Sequence, residues 1–240
     1  MRRCLIVVNA YKDECGDYAQ GIGQYLESRG ILCSTFLFSD ASTACSFDGN
    51  DFCITLGGDG TVLFAARGCA PLGIPIFPIN FGQFGFISSI QKREWEERLE
   101  EFLEGRACLS PRSLVQARVL RDGREVFGTA ALNDVVISPK ETARLVSLEL
   151  SFCGNPFGMF NAYSAAAGGP IIDPSLLALL LIPVSPFSLS NRPLVLPPEG
   201  VLEAVVQPSR ARGVGLTADG HYSCAYDMYL IFQEVMKYQE

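Results

Sequence analysis

The segment best suited to chemistry is 57–61, which reads Gly-Gly-Asp-Gly-Thr and directly follows an apolar run ending at Leu56. Glycines at the carboxyl end of a strand let the backbone approach phosphate oxygens closely, and their N–H groups can donate to those oxygens. Asp59 would project into the crevice at that sheet edge, where its carboxylate can accept a proton from a hydroxyl nucleophile. A Gly-Asp-Gly triplet alone is more often a tight turn, but the full motif after a buried strand favours a phosphoryl-transfer site. The residues of this candidate site are Gly57, Gly58, Asp59, Gly60 and Thr61.

Further polar and aromatic residues in the second half of the chain can bind a nucleotide. Asn133-Asp134 offers carboxylate acceptors for ribose hydroxyls or an adenine amine and an amide donor, although a turn at a strand end explains the pair equally well. Tyr163 can stack on a ring or hydrogen-bond a phosphate, but an aromatic side chain is more often part of a core. His221, the single histidine, follows Asp219-Gly220 in a predicted hairpin, where a surface turn is an equally good explanation.

The elements that must position the first motif alternate between strand and helix. Strands are predicted over 5–8, 31–38, 52–56 and 74–79. The apolar face of Tyr18, Ile22, Tyr25 and Leu26 predicts a helix that ends at Gly30, and 92–104 is a second amphipathic helix. Strands alternating with helices predict a Rossmann-like α/β domain with a parallel sheet over residues 1–105.

After Gly105 the pattern changes to short strands separated by proline and glycine. The predicted strands are 114–120, 125–137, 145–152, 177–182, 194–196, 202–206 and 213–216, and Asp122-Gly123 is typical of a hairpin turn. This pattern predicts a β-rich, nucleotide-binding domain over residues 106–225. The tail has apolar residues at helical spacing and predicts a C-terminal helix over 226–240 that packs back on the first domain.

Composition limits the classes of function. With 240 residues, 48% hydrophobic and 19% charged, the chain is long and apolar enough to form a folded core. A net charge of −7 without a basic stripe argues against a nucleic-acid partner, and no apolar run is long enough for a membrane span or signal peptide. Nine cysteines without CxxC spacing predict reduced thiols in a cytoplasmic protein.

The Gly-Gly-Asp-Gly-Thr motif resembles that of a kinase superfamily, which comprises NAD kinases, diacylglycerol and sphingosine kinases, and phosphofructokinases. The later segments of the chain resemble NAD kinases specifically and follow the order of that family. These segments are 79–86 (Ile-Asn-Phe-Gly-Gln-Phe-Gly-Phe), 131–137 (Ala-Leu-Asn-Asp-Val-Val-Ile), 163–170 (Tyr-Ser-Ala-Ala-Ala-Gly-Gly-Pro) and 188–194 (Ser-Leu-Ser-Asn-Arg-Pro-Leu).

The resemblance implies transfer of a phosphoryl group from ATP, or another donor such as polyphosphate, to the 2′-hydroxyl of the adenosine ribose of NAD. It implies Asp59 as the catalytic residue, Mg²⁺ arriving with ATP, and a homo-oligomer, either a dimer or a tetramer. The nucleotide contacts that it implies are Gly57, Gly58, Gly60, Thr61, Phe86, Asn133, Asp134, Arg144, Asn161, Tyr163, Ser164 and His221.

The sequence departs from the family just before Tyr163. NAD kinases carry an Asp-Gly, a short strand and a Thr-Pro-Thr-Gly-Ser-Thr segment there, whereas here Ala162 runs directly into Tyr163, and the stretch after Ala225 is also short. Either the chain is a catalytically impaired homologue, or loops of the natural protein are left out of this sequence. The second explanation is favoured because the flanking residues match the family up to each junction, and deleting a central strand would leave backbone groups unpaired.

Two other functions therefore stay open at this point. A lipid kinase of the diacylglycerol type shares the glycine motif, but it predicts a basic amphipathic membrane-binding segment, and none is present. A dinucleotide-binding sensor without catalysis would agree with the missing Thr-Gly-Ser segment, but it does not need the intact Asp59.

Overall fold

The chain divides after Pro111 into two units, Met1–Pro111 and Arg112–Glu240, whereas the predicted boundary followed Gly105. A computed structural model provides the structure. It describes residues 1–39, 45–82, 85, 87–141, 144–165, 176–186, 188, 191–208, 213–225 and 229–237; for residues 163–165, 221–225 and 229–237 it describes the backbone alone.

The first unit alternates strands and helices, as the sequence predicted. Its elements are β1 (Arg3–Asn9), α1 (Glu14–Glu27), β2 (Leu32–Phe38), β3 (Phe52–Gly57), α2 (Asp59–Cys69), β4 (Ile76–Asn80), β5 (Ile90–Gln91) and α3 (Trp95–Leu103), with short 3₁₀ turns at Ala70–Leu72 and Lys92–Glu94. Helix α2 was not predicted, because its glycine-rich first turn hides the helical pattern.

The strands of the first unit pair in parallel, in the order β2-β1-β3-β4-β5. Strand β2 lies on one side of β1, and β3 and the later strands lie on the other. The direction in which the chain adds strands therefore reverses between β1 and β3. In open sheets of this kind, the carboxyl ends of the two strands at the reversal flank a crevice that binds ligands.

Helices cover both faces of this sheet, which explains its continuous apolar strands. Ile6 of β1 shares one core with Ile22 of α1 and Leu99 of α3. The next residue, Val7, points to the opposite face and shares a second core with Phe64 of α2. Because side chains alternate along a strand, β1 supplies both cores and is held from both sides.

The second unit is built from β-strands in the part of the chain that the structure describes. They are β6 (Ser113–Arg121), β7 (Arg124–Ala131), β8 (Val135–Pro139), β9 (Val146–Phe152), β10 (Asn155–Ala165), β11 (Leu179–Leu181), β12 (Pro183–Pro186), β13 (Leu194–Leu196), β14 (Val201–Val206), β15 (Val214–Ala218), β16 (His221–Ala225) and β17 (Tyr229–Lys237).

Most strands of the second unit form one antiparallel sheet, in the order β16-β15-β8-β10-β9-β14-β17-β6-β7, and β12 also pairs with β10. Leu148, Leu150, Leu202 and Leu216 lie in its main core. The prediction of an α/β domain followed by a β-rich domain is thus confirmed.

The predicted C-terminal helix over 226–240 is wrong where the structure describes that segment, because Tyr229–Lys237 forms strand β17. This strand lies between β14 and β6 and pairs with both in antiparallel fashion. A short apolar run fits helical and extended spacing alike, and here two neighbouring strands provide hydrogen-bond partners along the segment. The tail therefore forms part of the sheet of the second unit.

Two further strand predictions differ from the structure. The single strand predicted over 125–137 is two strands, β7 and β8, separated by a turn at 132–134. Strand β10 was not predicted, because it contains Pro156 and Gly158, and Gly158 has a φ of 95° at a shift in register. Proline and glycine are usually read as breaks in a strand. Strand β10 runs unbroken through Ala162–Tyr163, the junction where the family segment is missing.

Among the helices that the structure describes, none is both long enough and apolar enough to cross a membrane.

Candidate active site

Polar residues collect where neighbouring strands of the parallel sheet end. Strand β1 ends at Asn9, β3 at Gly57 and β4 at Asn80. The Phe81 N–H donates to the Gly57 carbonyl over 2.7 Å, which ties the ends of β3 and β4 together. The Gly-Gly-Asp-Gly-Thr segment therefore begins at the reversal point between β1 and β3, where an open α/β sheet binds its ligands.

Gly57 is required because α2 folds back against the end of β3. A Cβ at residue 57 would lie 2.1 Å from the Thr61 Oγ1 and 3.2 Å from the Asn9 Cβ. Thr61 is 1% exposed, and its hydroxyl lies 3.5 Å from the Asn9 Nδ2 as a hydrogen-bond acceptor. Thr61, which was predicted to contact the nucleotide, thus contacts β1 and supports the loop in this structure.

Asp59 is the first residue of α2, and backbone donors from a distant segment hold its carboxylate. Its Oδ1 accepts the N–H of Ile87 over 3.2 Å and the N–H of Ser88 over 3.1 Å. A Cβ on Gly85 would lie 2.7 Å from the backbone carbonyl oxygen of Ser88 and 3.1 Å from the same Asp59 oxygen, so glycine is needed for this segment to approach so closely. The side chain is half-buried, and the helix N-terminus favours a negative charge there. The structure therefore presents a fixed, partly exposed carboxylate at the sheet edge.

The backbone around Asp59 is open to a ligand. A Cβ on Gly58 or Gly60 would meet no atom within 4 Å among the described residues. The first N–H groups of a helix have no acceptor inside the helix, and together they form a favourable position for an anion. Lys12 adds a positive charge at this sheet edge, because its ammonium donates to the Phe81 carbonyl over 2.7 Å. This combination suits a phosphate group.

The second unit holds Asn133 and Asp134 in the turn between β7 and β8. Asn133 is exposed and Asp134 is half-buried. Burial raises the pKa of the Asp134 carboxyl above its usual range, and the negative charge of Asp219 raises it further. Asp219 is 6% exposed and accepts hydrogen bonds from the backbone of this turn. Asn133 and Asp134 thus lie on a turn whose backbone N–H groups donate to the buried carboxylate of Asp219.

The other predicted contacts of the second unit lie elsewhere in its sheet. Arg144 is exposed, and its Nε lies 3.5 Å from the Glu141 Oε2. The Asn161 Oδ1 accepts the hydroxyl of Ser147 over 2.7 Å. Both Asn161 and Arg144 lie beyond the Pro139 end of β8, whereas Asn133 and Asp134 precede its first residue. The structure therefore does not bring these two groups directly together.

Of the remaining predicted contacts, the structure describes only the backbone of three, which are Tyr163, Ser164 and His221. Tyr163 and Ser164 lie on β10, where Ser164 is paired with Val184. His221 begins β16, and its partner in β15 is Ala218. The hairpin predicted around Asp219-Gly220 is thus present. Phe86 lies outside the described residues.

The sequence reasoning missed several residues that shape the site. Asn9 ends β1 as Gly57 ends β3, and Lys12 follows three residues later, so polar residues at the end of a buried strand were an available signal. Asp219 gave no such signal, because an Asp-Gly pair predicts a turn without showing where the carboxylate points.

Within the described ranges, no three or more His, Cys, Asp and Glu side chains are grouped to hold a metal ion. Mg²⁺ usually keeps several waters and is held by one or two carboxylates together with substrate phosphates. The Asp59 carboxylate at the sheet edge is a ligand of the kind that such an ion takes.

Comparison with known protein families gives two matches along the chain. The family model described as the ATP-NAD kinase N-terminal domain matches residues 35–107. The model described as the ATP-NAD kinase C-terminal domain matches residues 156–230.

Curated relatives and solved structures agree with these matches. The chain is 42% identical to the NAD kinase of Treponema denticola, over 92% of this chain and 82% of that protein. It is 39% identical to the NAD kinase of Treponema pallidum, over 92% and 77% of the two chains. Its fold is similar to that of yeast NADH kinase complexed with NADH, with a TM-score of 0.82, 21% identity, and coverage of 100% of this chain and 79% of that one. It is also similar to an Archaeoglobus fulgidus NAD kinase in complex with ATP, with a TM-score of 0.79, 22% identity, and coverage of 98% and 90%.

Proposed function

Because the chain belongs to the NAD kinase family, we propose that it transfers a phosphoryl group from ATP to the 2′-hydroxyl of the adenosine ribose of NAD, which gives NADP. One observation supports this activity most directly. The Asp59 carboxylate lies at the reversal point of a parallel sheet, beside open glycine backbone, and two N–H groups fix its orientation. A positioned carboxylate next to an anion-binding backbone is what an alcohol phosphotransferase needs.

In the proposed reaction, Asp59 acts as the general base. The ribose 2′-hydroxyl donates a hydrogen bond to the Asp59 carboxylate and transfers its proton there as its oxygen attacks the γ-phosphorus of ATP. The bond from the γ-phosphorus to the bridging oxygen breaks in line, and ADP leaves with that electron pair. The bonds from Ile87 and Ser88 keep the carboxylate in one orientation, so that little reorganisation is needed during the transfer.

The glycine backbone would bind the phosphates of the donor. The positions of Gly58 and Gly60 leave room for phosphate oxygens to reach main-chain N–H groups at the start of α2. The ammonium of Lys12 would add a charged donor at the same sheet edge. Mg²⁺ on the ATP phosphates would neutralise part of the charge that develops during transfer.

Residues of the second unit would bind the acceptor dinucleotide. Asn133 and Asp134 would bind ribose hydroxyls or the adenine amine, because a carboxylate accepts and an amide both donates and accepts. Further contacts in this proposal rest on the family resemblance alone. They are Phe86, Arg144, Asn161, Tyr163, Ser164 and His221.

A coupled assay that detects NADP and NADPH, together with chromatography of the lipid products, tests the proposal against both alternatives. The purified chain is incubated with NAD, ATP and Mg²⁺, with NADH replacing NAD or polyphosphate replacing ATP in parallel reactions, and with diacylglycerol vesicles in another. We expect NADP from NAD and ATP and no phosphorylated lipid. Calorimetric binding of NAD without any turnover would instead identify a sensor, and phosphorylated diacylglycerol would identify a lipid kinase.

We also propose that the protein is cytoplasmic and forms a homo-oligomer. Cys4, Cys15, Cys53 and Cys69 are buried free thiols, which is typical of a protein in a reducing compartment. Exposed apolar side chains on the second unit, among them Met159 at 48%, suit a contact between copies.

A further inference from the structure

Asp219 is a buried carboxylate that, among the residues that the structure describes, accepts hydrogen bonds from a segment far away in the sequence. It lies in the turn between β15 and β16, and its side chain is 6% exposed. Its Oδ2 accepts the N–H of Leu132 over 2.9 Å. Its Oδ1 accepts the N–H of Asn133 over 2.8 Å and that of Asp134 over 3.2 Å.

These bonds explain why β7 and β8 are separate strands. At residues 132–134 the backbone leaves the sheet, so its N–H groups need acceptors other than a neighbouring strand. Both oxygens of Asp219 supply them. The Asp219 N–H in turn donates to the Asp134 carbonyl over 3.0 Å, so the two turns are linked in both directions.

The turn at residues 132–134 contains Asn133 and Asp134, which are the predicted nucleotide contacts. Asp219 is a like charge beside Asp134, and this repulsion opposes the arrangement. An asparagine would avoid the repulsion, but its single oxygen could accept only the bonds made to Oδ1, and its amide group would face the Leu132 N–H. The geometry therefore selects a carboxylate at a position where charge alone disfavours one.

We propose that Asp219 is a positioning residue for NAD, which fixes the Asn133-Asp134 turn in the conformation that binds the dinucleotide. This inference rests on the proposed function, because it takes that turn to be part of the acceptor site. Asp219 acts through the turn and is not itself a group that touches the reacting atoms.

The hairpin between β6 and β7 provides a matched control. Asp122 and Gly123 there have φ angles of 50° and 72°, and Asp219 and Gly220 have 50° and 77°. Asp122 is exposed, whereas Asp219 is buried against another turn. Replacing Asp122 by alanine therefore reproduces the backbone cost of an alanine at positive φ without removing bonds to 132–134.

The experiment compares wild type, Asp219→Ala, Asp219→Asn and Asp122→Ala by steady-state kinetics. We expect Asp219→Ala to raise the KM for NAD about tenfold or more, because it leaves three N–H groups of the turn without acceptors. The KM for ATP should change by less than about twofold, since this turn is not part of the donor site. Asp219→Asn should lie between wild type and Asp219→Ala, and Asp122→Ala should match wild type.

Hydrogen exchange supplies a readout that does not depend on activity. The amides of Leu132, Asn133 and Asp134 should exchange faster in Asp219→Ala than in Asp122→Ala. If Asp219→Ala does not fold, the same comparison is made with Asp219→Asn. The inference is overturned if the KM for NAD stays at the wild-type value, or if both KM values rise equally. A wild-type chain that makes no NADP would instead reject the proposed function, and unchanged amide exchange would then separately reject the role of Asp219 in the turn.

Discussion

At the scale of single residues, the site depends on close approaches that few side chains permit. The Asp59 carboxylate is bound by N–H groups of residues 28 and 29 positions later in the chain. That contact requires glycine at position 85, just as the contact between α2 and β3 requires glycine at position 57. The orientation of the Asp59 carboxylate therefore depends on a neighbouring position that has no side chain.

Replacing Gly57 by alanine should destabilise the first unit by about 1 to 3 kcal/mol, because the new methyl group would overlap the Thr61 side chain. Gly60→Ala is the matched control within the same motif, since a Cβ at residue 60 meets no neighbour within 4 Å. Urea unfolding followed by the fluorescence of Trp95, the single tryptophan, reports on this unit. Equal stabilities for the two variants would contradict the steric role of Gly57.

Sequence reasoning identified Asp59 and its glycines, because a motif within five consecutive residues is visible without a structure. It did not identify Asp219 or the donors of Ile87 and Ser88, because their partners lie far away in the sequence. Nothing in the local sequence shows that a carboxylate in a turn will bind the backbone of another turn.

At the scale of elements, helices α1 and α3 are joined on one face of the parallel sheet. The Tyr25 hydroxyl donates to the Glu100 carboxylate, and Arg29 donates to the same oxygen over 2.6 Å. The Arg29 guanidinium lies 3.7 Å from the centre of the Tyr25 ring, and the Trp95 ring packs edge-on against it at 5.3 Å. This cluster links two helices that cover the same strands.

The cluster should make stability depend on pH in the alkaline range. Burial, followed by the bond to Glu100, raises the pKa of Tyr25 from 10.0 to about 12. A raised pKa stabilises the fold fully below the unfolded value, and that contribution is lost as pH rises through the folded value. The difference in unfolding free energy between wild type and Tyr25→Phe should therefore shrink between about pH 10 and pH 12.

Denaturant unfolding at a series of pH values measures this difference, and Tyr11→Phe is the control because Tyr11 is 77% exposed. A constant difference between wild type and Tyr25→Phe across this range would show that the pKa of Tyr25 is not raised in the folded protein.

The elements themselves were only partly predictable from sequence. The parallel strands and amphipathic helices of the first unit have clear apolar patterns. The segment 229–237 fits two periodicities, and only its place between β14 and β6 determines that it is a strand. The break between β7 and β8 also depends on a distant residue, because Asp219 provides the hydrogen-bond acceptors for the backbone of the turn between them.

At the scale of the whole molecule, an α/β unit supplies the proposed catalytic carboxylate and a β-rich unit supplies the proposed acceptor contacts. Family membership and fold both followed from motifs in their order along the chain, and the comparisons confirm them. The segment missing before Tyr163 leaves β10 continuous and paired with both β9 and β12.

The oligomer implied by the resemblance can be tested by light scattering coupled to size exclusion. We expect a mass that is two or four times 26.1 kDa. Met159→Glu should shift the population toward smaller species, because a charge is costly to bury in a contact between copies. A single active species of 26.1 kDa would contradict the expectation.

The most direct test of the central claim is NADP formation by Asp59→Asn. The amide keeps an oxygen that can accept the Ile87 and Ser88 N–H groups, but it cannot take a proton from the ribose hydroxyl. Asp51→Asn is the matched control, because Asp51 also accepts a backbone N–H, that of Arg3 over 2.6 Å, at the opposite end of β3. We predict that Asp59→Asn lowers kcat by about 10²-fold or more with NAD binding retained, and that Asp51→Asn stays near wild type. Turnover near the wild-type rate in Asp59→Asn would contradict the proposed role of Asp59.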